Sequence, residues 1–343
     1  MTMKISSVLS VALLCLFLVR CSPPQDEQLK NDNRKADSLS AALNSPELKA
    51  VNAELLKNPD NADLYFKRAG VYQTLKLFNE AVNDSKRAIR MDSTKAPYYL
   101  GLADIYFSMN NTRYAKELLE ISAKKFPDNV EALLKLAELY FLVKQYQKGI
   151  DFANKALKLD ENLAKAYYLK GSIYRESGDT AKAISSLETA IEQDNRFEDA
   201  FYDLGVLYAA RKNPLALEYY NNALRINASS LNALYARAKY LQDMGKFDEA
   251  MTEYAATVKM HGDCENCYYN MGAVTLEIKK DAQKALEYFG KAIELNPTYL
   301  EAYLARGYAY SKLKDKASAR ADYNMCLKLQ PNYDPAIQAL NEL

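Results

Sequence analysis

Residues 300–333 read LEAYLARGYAYSKLKDKASARADYNMCLKLQPNY. Tyr303, Gly307 and Tyr310 stand four and three positions apart, and Ala319, Tyr323 and Cys326 repeat that spacing after the polar break Lys314-Asp315. Such intervals put each set on one face of a helix. The stretch therefore reads as two helices joined by a short turn, and Pro331 cannot carry the second helix further.

Working outward from it, the pattern recurs along most of the chain. Small residues stand at Ala69, Ala103, Ala137, Gly171, Gly205, Ala238, Gly272 and Gly307, at intervals of 33 to 35 residues. Ala81, Ala115, Gly149, Ala183, Ala216, Ala250, Ala285 and Ala319 form a second series with intervals of 33 to 35. Eight units tile residues 62–333: 62–95, 96–129, 130–163, 164–197, 198–230, 231–264, 265–299 and 300–333. Only 11 Gly and 10 Pro occur in 343 residues, which agrees with long helices and few tight hairpins. Gly or Ala at unit positions 8 and 20 lets two helix backbones approach closely, while larger side chains at positions 4 and 11 fill the gaps beside them. Leu at either small position is expected to overpack the seam. No unit buries its apolar face alone, so stability is summed through neighbours.

At this point the units resemble tetratricopeptide repeats. The pattern of an aromatic or Leu at position 4, small at 8, Tyr at 11, Ala at 20, bulky at 24, Ala at 27 and Pro at 32 is matched by Tyr303, Gly307, Tyr310, Ala319, Tyr323 and Pro331. Departures are local. Cys326 replaces Ala at position 27, and Thr275 replaces Tyr at position 11. The fifth unit is one residue short near Asn213-Pro214 and the seventh one residue long within 279–283, both changes being expected in the turn between helices. The resemblance implies an all-α fold, a right-handed superhelical solenoid of antiparallel helix pairs. Residues 46–61 read as an amino-terminal capping half-repeat and residues 334–343 as a carboxy-terminal capping helix, which opens with Asp334-Pro335.

In that family, positions 2, 5, 9, 12 and 13 face a concave groove. Position 5 here reads Phe66, Leu100, Leu134, Tyr168, Tyr202, Tyr235, Tyr269 and Leu304. Four consecutive tyrosines suit an aromatic ladder gripping a partner peptide, since tyrosine offers broad area and a hydroxyl at low entropic cost. The alternative is that they pad adjacent helices in a chain of 27 tyrosines. A ladder predicts that alanine at Tyr202 and Tyr235 weakens capture and leaves thermal unfolding little changed. Some family members hold a chaperone's carboxylates with Lys at position 5 and Asn at positions 6 and 9. This chain has no Lys at position 5 and an isolated Asn270 at position 6, so that clamp is absent.

A second feature lies at the junction of the sixth and seventh units, His261-Gly262-Asp263-Cys264-Glu265-Asn266-Cys267. Cys264 and Cys267 could form a local disulfide or a redox pair, or with His261 part of a metal site; alternatively Cys267 replaces the core Ala of position 3. The structural readings come first, because no second Cys pair and no other His exists to complete a metal site. No cofactor is expected.

The amino terminus differs from the rest. Lys4 is followed by an uncharged apolar run from Val8 to Val19, too short to span a bilayer and of the length of a signal-peptide core. Leu18-Val19-Arg20-Cys21 then meets the polar stretch Ser22-Pro23-Pro24. This resembles a bacterial lipoprotein processing site, which implies that residues 1–20 are removed, that Cys21 carries the lipid and that residues 21–45 form a tether. Arg20 departs from the small residue usual before the Cys. Secretion with cleavage elsewhere and an uncleaved anchor are the other readings.

With 45 Lys plus Arg against 44 Asp plus Glu, there is no surplus charge to hold nucleic acid. A single His, and no phosphate loop or nucleophile elbow, leave an enzyme hypothesis without residues and no small-molecule substrate to expect. The sequence thus predicts a non-enzymatic protein-interaction scaffold of the bacterial envelope, lipid-anchored in the outer membrane by preference. A glycan-binding envelope lipoprotein using the same tyrosines is the alternative.

Overall fold

A computed structural model describes residues 42–343. The signal segment, Cys21 and the tether up to residue 41 lie outside the described residues. From Pro46 onward the described chain is helices and turns without a strand. It divides into two compact parts, with the boundary between Leu118 and Leu119.

The first part holds α1 (Pro46–Lys57), α2 (Ala62–Thr74), α3 (Phe78–Met91), α4 (Ala96–Ser108) and the beginning of α5 (Thr112–Lys125). The second holds the end of α5 and six pairs: α6 (Val130–Leu142) with α7 (Tyr146–Leu159), α8 (Ala164–Glu176) with α9 (Thr180–Gln193), α10 (Glu198–Ala209) with α11 (Leu215–Ile226), α12 (Leu231–Asp243) with α13 (Phe247–Met260), α14 (Glu265–Glu277) with α15 (Ala282–Leu295), and α16 (Leu300–Lys312) with α17 (Lys316–Leu329). It ends with α18 (Asp334–Asn341). Among the described residues no helix is long and apolar enough to cross a membrane.

The turn inside each pair is set by one left-handed residue. Lys76, Asn110, Lys144, Gly178, Lys212, Gly245, Lys280 and Lys314 all have φ between 53° and 85°. This conformation lets the residue's own amide and the next one cap the helix just ended. Lys314 N–H donates to the Ser311 carbonyl and Asp315 N–H to that of Tyr310, each at 3.0 Å. Asp179, Asp281 and Asp315 then cap the second helix, accepting from the amides of Lys182, Lys284 and Ser318. The turn between pairs repeats as well: Asp92, Asp160, Asp194, Asn227 and Asn296 each accept from the amide two residues on. His261 takes this place in the sixth unit, and its Nε2 is buried without a hydrogen-bond partner.

The small residues lie in the seams. Ala69, Ala137, Ala238, Ala81, Ala183, Ala250, Ala285 and Ala319 have no exposed surface, and Gly205 and Gly307 are buried. A Cβ on Gly205 would stand 2.5 Å from the Tyr220 ring, so the backbones approach as closely as glycine permits. The seventh unit takes its extra residue in the turn, at 278–281. The fifth differs from expectation. Its turn is lengthened to 210–214, and α10 and α11 are shortened to 12 residues each. Pro214 stands at the start of the second helix, where no amide donor is needed.

Candidate functional site

The position-5 tyrosines stand one turn into α8, α10, α12 and α14, all within the second compact part. Alanines beside them, Ala166, Ala200 and Ala233, are fully buried and turn one side of each helix into the stack. Tyr168, Tyr202, Tyr235 and Tyr269 sit at the margin of that buried side and are half-buried.

Their rings rest on the second helix of their own unit. Tyr202 lies 6.3 Å from Tyr220, Tyr235 lies 6.2 Å from Tyr254, and Tyr269 lies 5.9 Å from Phe289, between ring centroids. In the fourth unit the corresponding residue is Leu187, and Tyr168 packs instead on Phe197 at 4.8 Å. Tyr269 also meets Tyr299 at 5.2 Å. Both Phe197 and Tyr299 are the last residues of their units, just before the next first helix. Each tyrosine thus serves packing and surface together. Truncation to alanine opens a gap against Tyr220 or Tyr254, so the sequence-based expectation of little change in unfolding does not follow from this geometry. Phe66 belongs to the first part, where its ring packs on Tyr98 at 5.0 Å and covers Gly101.

Polar links join consecutive first helices beside the rings. Asn270 Nδ2 donates to the Tyr235 hydroxyl at 3.1 Å, tying α14 to α12. Arg175 Nη1 donates to Asp203 Oδ1, tying α8 to α10. Asp203 is 4% exposed, and its Oδ2 is buried without a hydrogen-bond partner. Burial pushes its carboxyl above the ordinary carboxylate range, against the opposing pull of Arg175. The same burial, with the charges of Asp203 and Asp199 added, pushes the Tyr168 phenol up to about 12. Tyr202 is raised by burial and by Asp203, and Tyr269 by burial and Glu301. These three phenols remain neutral hydrogen-bond donors around pH 7.

Neither Asp203 nor Arg175 was among the residues singled out from sequence. The available signal was a carboxylate inside the otherwise apolar run Phe201-Tyr202-Asp203-Leu204-Gly205. Asn270 was noted as an isolated member of a missing clamp, and its amide donates to Tyr235.

At the other candidate, the Cys264 and Cys267 sulfurs are bonded to each other. Cys264 precedes α14 and Cys267 lies in its first turn, both buried in a core with Ala238, Leu241, Tyr254 and Met271. Bonded sulfurs are not thiolate ligands, and among the described residues no three His, Cys, Asp or Glu side chains converge as a metal site. Burial pushes the free Cys326 thiol up to about 11, which leaves it a poor nucleophile. What this surface offers is flat rings, phenolic donors and carboxylates, which suit recognition.

Family models described as tetratricopeptide repeat match residues 62–95, 100–164, 266–299 and 300–333, and one described as TPR repeat matches 171–211. Together they cover more than half of the chain. Human DnaJ homolog subfamily C member 7 is 24% identical over 297 residues, covering 77% of this chain, which spans 59% of that protein's length. The type IV pilus assembly protein PilF of Pseudomonas aeruginosa is 29% identical over 163 residues, 47% of this chain and 64% of that protein. Among solved structures, the C-terminal part of a TPR repeat-containing protein from Cytophaga hutchinsonii superposes with a TM-score of 0.57 at 19% identity, covering 72% of this chain and 99% of that one. That likeness speaks to the fold alone. With helix pairs repeating every 33 to 35 residues around buried small residues, and with these matches, the chain belongs to the tetratricopeptide-repeat family.

Proposed function

We propose that this protein is a non-enzymatic interaction scaffold that holds a peptide segment of a protein partner on the tyrosine face of α8, α10, α12 and α14. The row of half-buried rings Tyr168, Tyr202, Tyr235 and Tyr269, with the neutral hydroxyls of Tyr168, Tyr202 and Tyr269 at its margin, carries this reading. Flat rings held from behind lose little freedom when a partner covers them, and that is the economy recognition surfaces use. The similarity to a pilus assembly protein is compatible with work in a bacterial envelope, and the apolar run ending at Cys21 supports lipid anchorage there. A disulfide within the described chain fits an oxidising compartment. The outer membrane is the preferred location.

The test is a photo-crosslinking residue placed at Asn232, exposed at position 2 of α12, with a control at Glu192, exposed on the second helix α9. An adduct formed at Asn232 in the native envelope, absent from Glu192 and diminished by Tyr202→Ala with Tyr235→Ala, supports the face. Equal adducts at both positions reject it. The glycan reading rests on the same half-exposed rings, and saturable binding on a glycan array with no protein adduct would favour it. Incorporation of labelled palmitate that disappears in Cys21→Ala tests the anchor.

A further inference from the structure

The charges around the tyrosines are unequally provided with partners. At positions 2, 9 and 12 of α8 to α14 the cations are Lys165, Arg175 and Lys239, and each is already in an ion pair: Lys165 with Glu138 at 3.5 Å, Arg175 with Asp203, Lys239 with Asp243. Acids remain over. Asp199 at position 2 of α10, Glu277 at position 13 of α14 and Glu301 at position 2 of α16 are exposed and stand in no ion pair among the described residues. Asp199 follows two residues after Phe197, on which Tyr168 packs at 4.8 Å, and Glu301 two residues after Tyr299, on which Tyr269 packs at 5.2 Å, which puts these two acids beside the ladder. Independently of this surplus, Asp203 Oδ2 is buried with no hydrogen bond of good geometry, and the Tyr168 phenol is the donor that acts on this carboxyl. A buried carboxylate so incompletely provided for costs free energy, which a cation arriving nearby offsets through its charge.

Resting on the reading of the tyrosine face as the binding surface, we infer that its occupant is a peptide segment bearing a Lys or Arg side chain, seated against the Tyr168 and Tyr202 rings with Asp199 as its direct counter-charge and Asp203 behind it. A ring face attracts a cation by its quadrupole, and a carboxylate within a few ångströms adds to that attraction where water is partly excluded. A second basic side chain fits at Glu301 and Tyr269. An acidic segment meets like charge at both ends of the row and, at positions 2, 9 and 12 of α8 to α14 among the described residues, no cation outside an ion pair. Charge complementarity of this kind governs which partner is accepted and how fast it arrives.

The inference is tested on the full chain with two fluorescein-labelled peptides of identical apolar spacing, one carrying Lys and Arg and the other Glu at the intervening positions, read by fluorescence anisotropy. The basic peptide is expected to bind at least about tenfold more tightly than the acidic one. Asp199→Asn should weaken the basic peptide about three- to tenfold, while Glu192→Gln on α9 leaves it unchanged. Asp199 is exposed, so its variant keeps the fold, verified by circular dichroism. Equal affinities for the two peptides, or equal losses in the two variants, overturn the inference. A photo-crosslinker at Asn232 separates the two levels of the argument. Adducts with both peptides at equal affinity leave the face standing and sink the charge preference, whereas no adduct with either removes the face and the inference with it.

Discussion

Arg306 holds Asp322 through two parallel hydrogen bonds of 2.8 Å, joining position 7 of a first helix to position 23 of the second. Arg68 and Asp84 repeat the pair at 2.6 and 2.9 Å, and Arg237 with Glu253 forms a third at 2.5 Å. In the second, fifth and seventh units both places are apolar: Leu102 with Leu118, Leu204 with Tyr219 and Met271 with Tyr288 share cores. The fourth unit departs from this, with Lys170 and Ser186 at the two places, and burial pushes the Lys170 amine below its ordinary range. In the other units the two positions change character together, because a charge on one side alone has no partner. Asp322→Leu should therefore cost about 3 kcal/mol by stranding the Arg306 guanidinium, which is 23% exposed. Arg306→Leu combined with Asp322→Leu should recover most of that loss, since it recreates the Leu102 arrangement. Urea unfolding of the single and double variants measures the difference, and a double variant as weak as the single would refute the pairing argument.

Gly307 tests the seam. A Cβ there would stand 2.5 Å from the Tyr323 ring, which is 1% exposed and has nowhere to move. Alanine in a helix interior ordinarily gains about 1 kcal/mol over glycine. Here overpacking is expected to reverse the sign, leaving Gly307→Ala less stable by about 1–2 kcal/mol. A thermal midpoint equal to or above that of the parent would show that the helices can separate at no cost.

The left-handed turn residues give the opposite sign. Lys144 and Lys314 hold φ of 58° and 62°, a conformation that crowds a Cβ and that glycine adopts freely. Lys144→Gly should stabilise by about 0.5–1 kcal/mol, the relief of strain exceeding the added freedom of the unfolded chain. Gly178→Ala, at φ 85°, should destabilise by a similar amount. Chemical denaturation of the two variants reads both signs.

These turns mark where sequence reasoning stopped. Ala69, Gly205 and Ala319 could be found because close packing excludes larger residues from one place in every unit. At the turns the backbone needs a conformation rather than a size, and Lys76, Lys212 or Lys280 supply it at some strain while Gly178 and Gly245 supply it freely, so no one residue type marks the place. The site divides similarly. The tyrosines were legible as a column, but their contacts with Tyr220, Tyr254 and Phe289 depend on the neighbouring helix. Arg175 and Asp203 lie 28 positions apart and occur as a pair once, so no periodicity could pick them out.

Asp203 should leave a signature in the pH dependence of stability. Its carboxyl sits above the ordinary range because burial disfavours the charge more than Arg175 restores it. The folded chain consequently binds this proton more tightly than the unfolded chain does. The resulting stability is fully present below the unfolded value, about 4, and is lost as pH rises through the higher folded value. Asp315 works in the other direction: its hydrogen bond from Ser318 lowers its pKa, so what it contributes is lost as pH falls. Asp203→Asn cannot titrate and keeps an oxygen for Arg175. Compared across a pH series, the stability of the parent relative to Asp203→Asn should decline from about pH 4 upward, because only the parent must ionise a buried group. Urea midpoints for both proteins measure that gap, and a gap independent of pH would mean that Asp203 is solvated enough to titrate as it does in the unfolded chain.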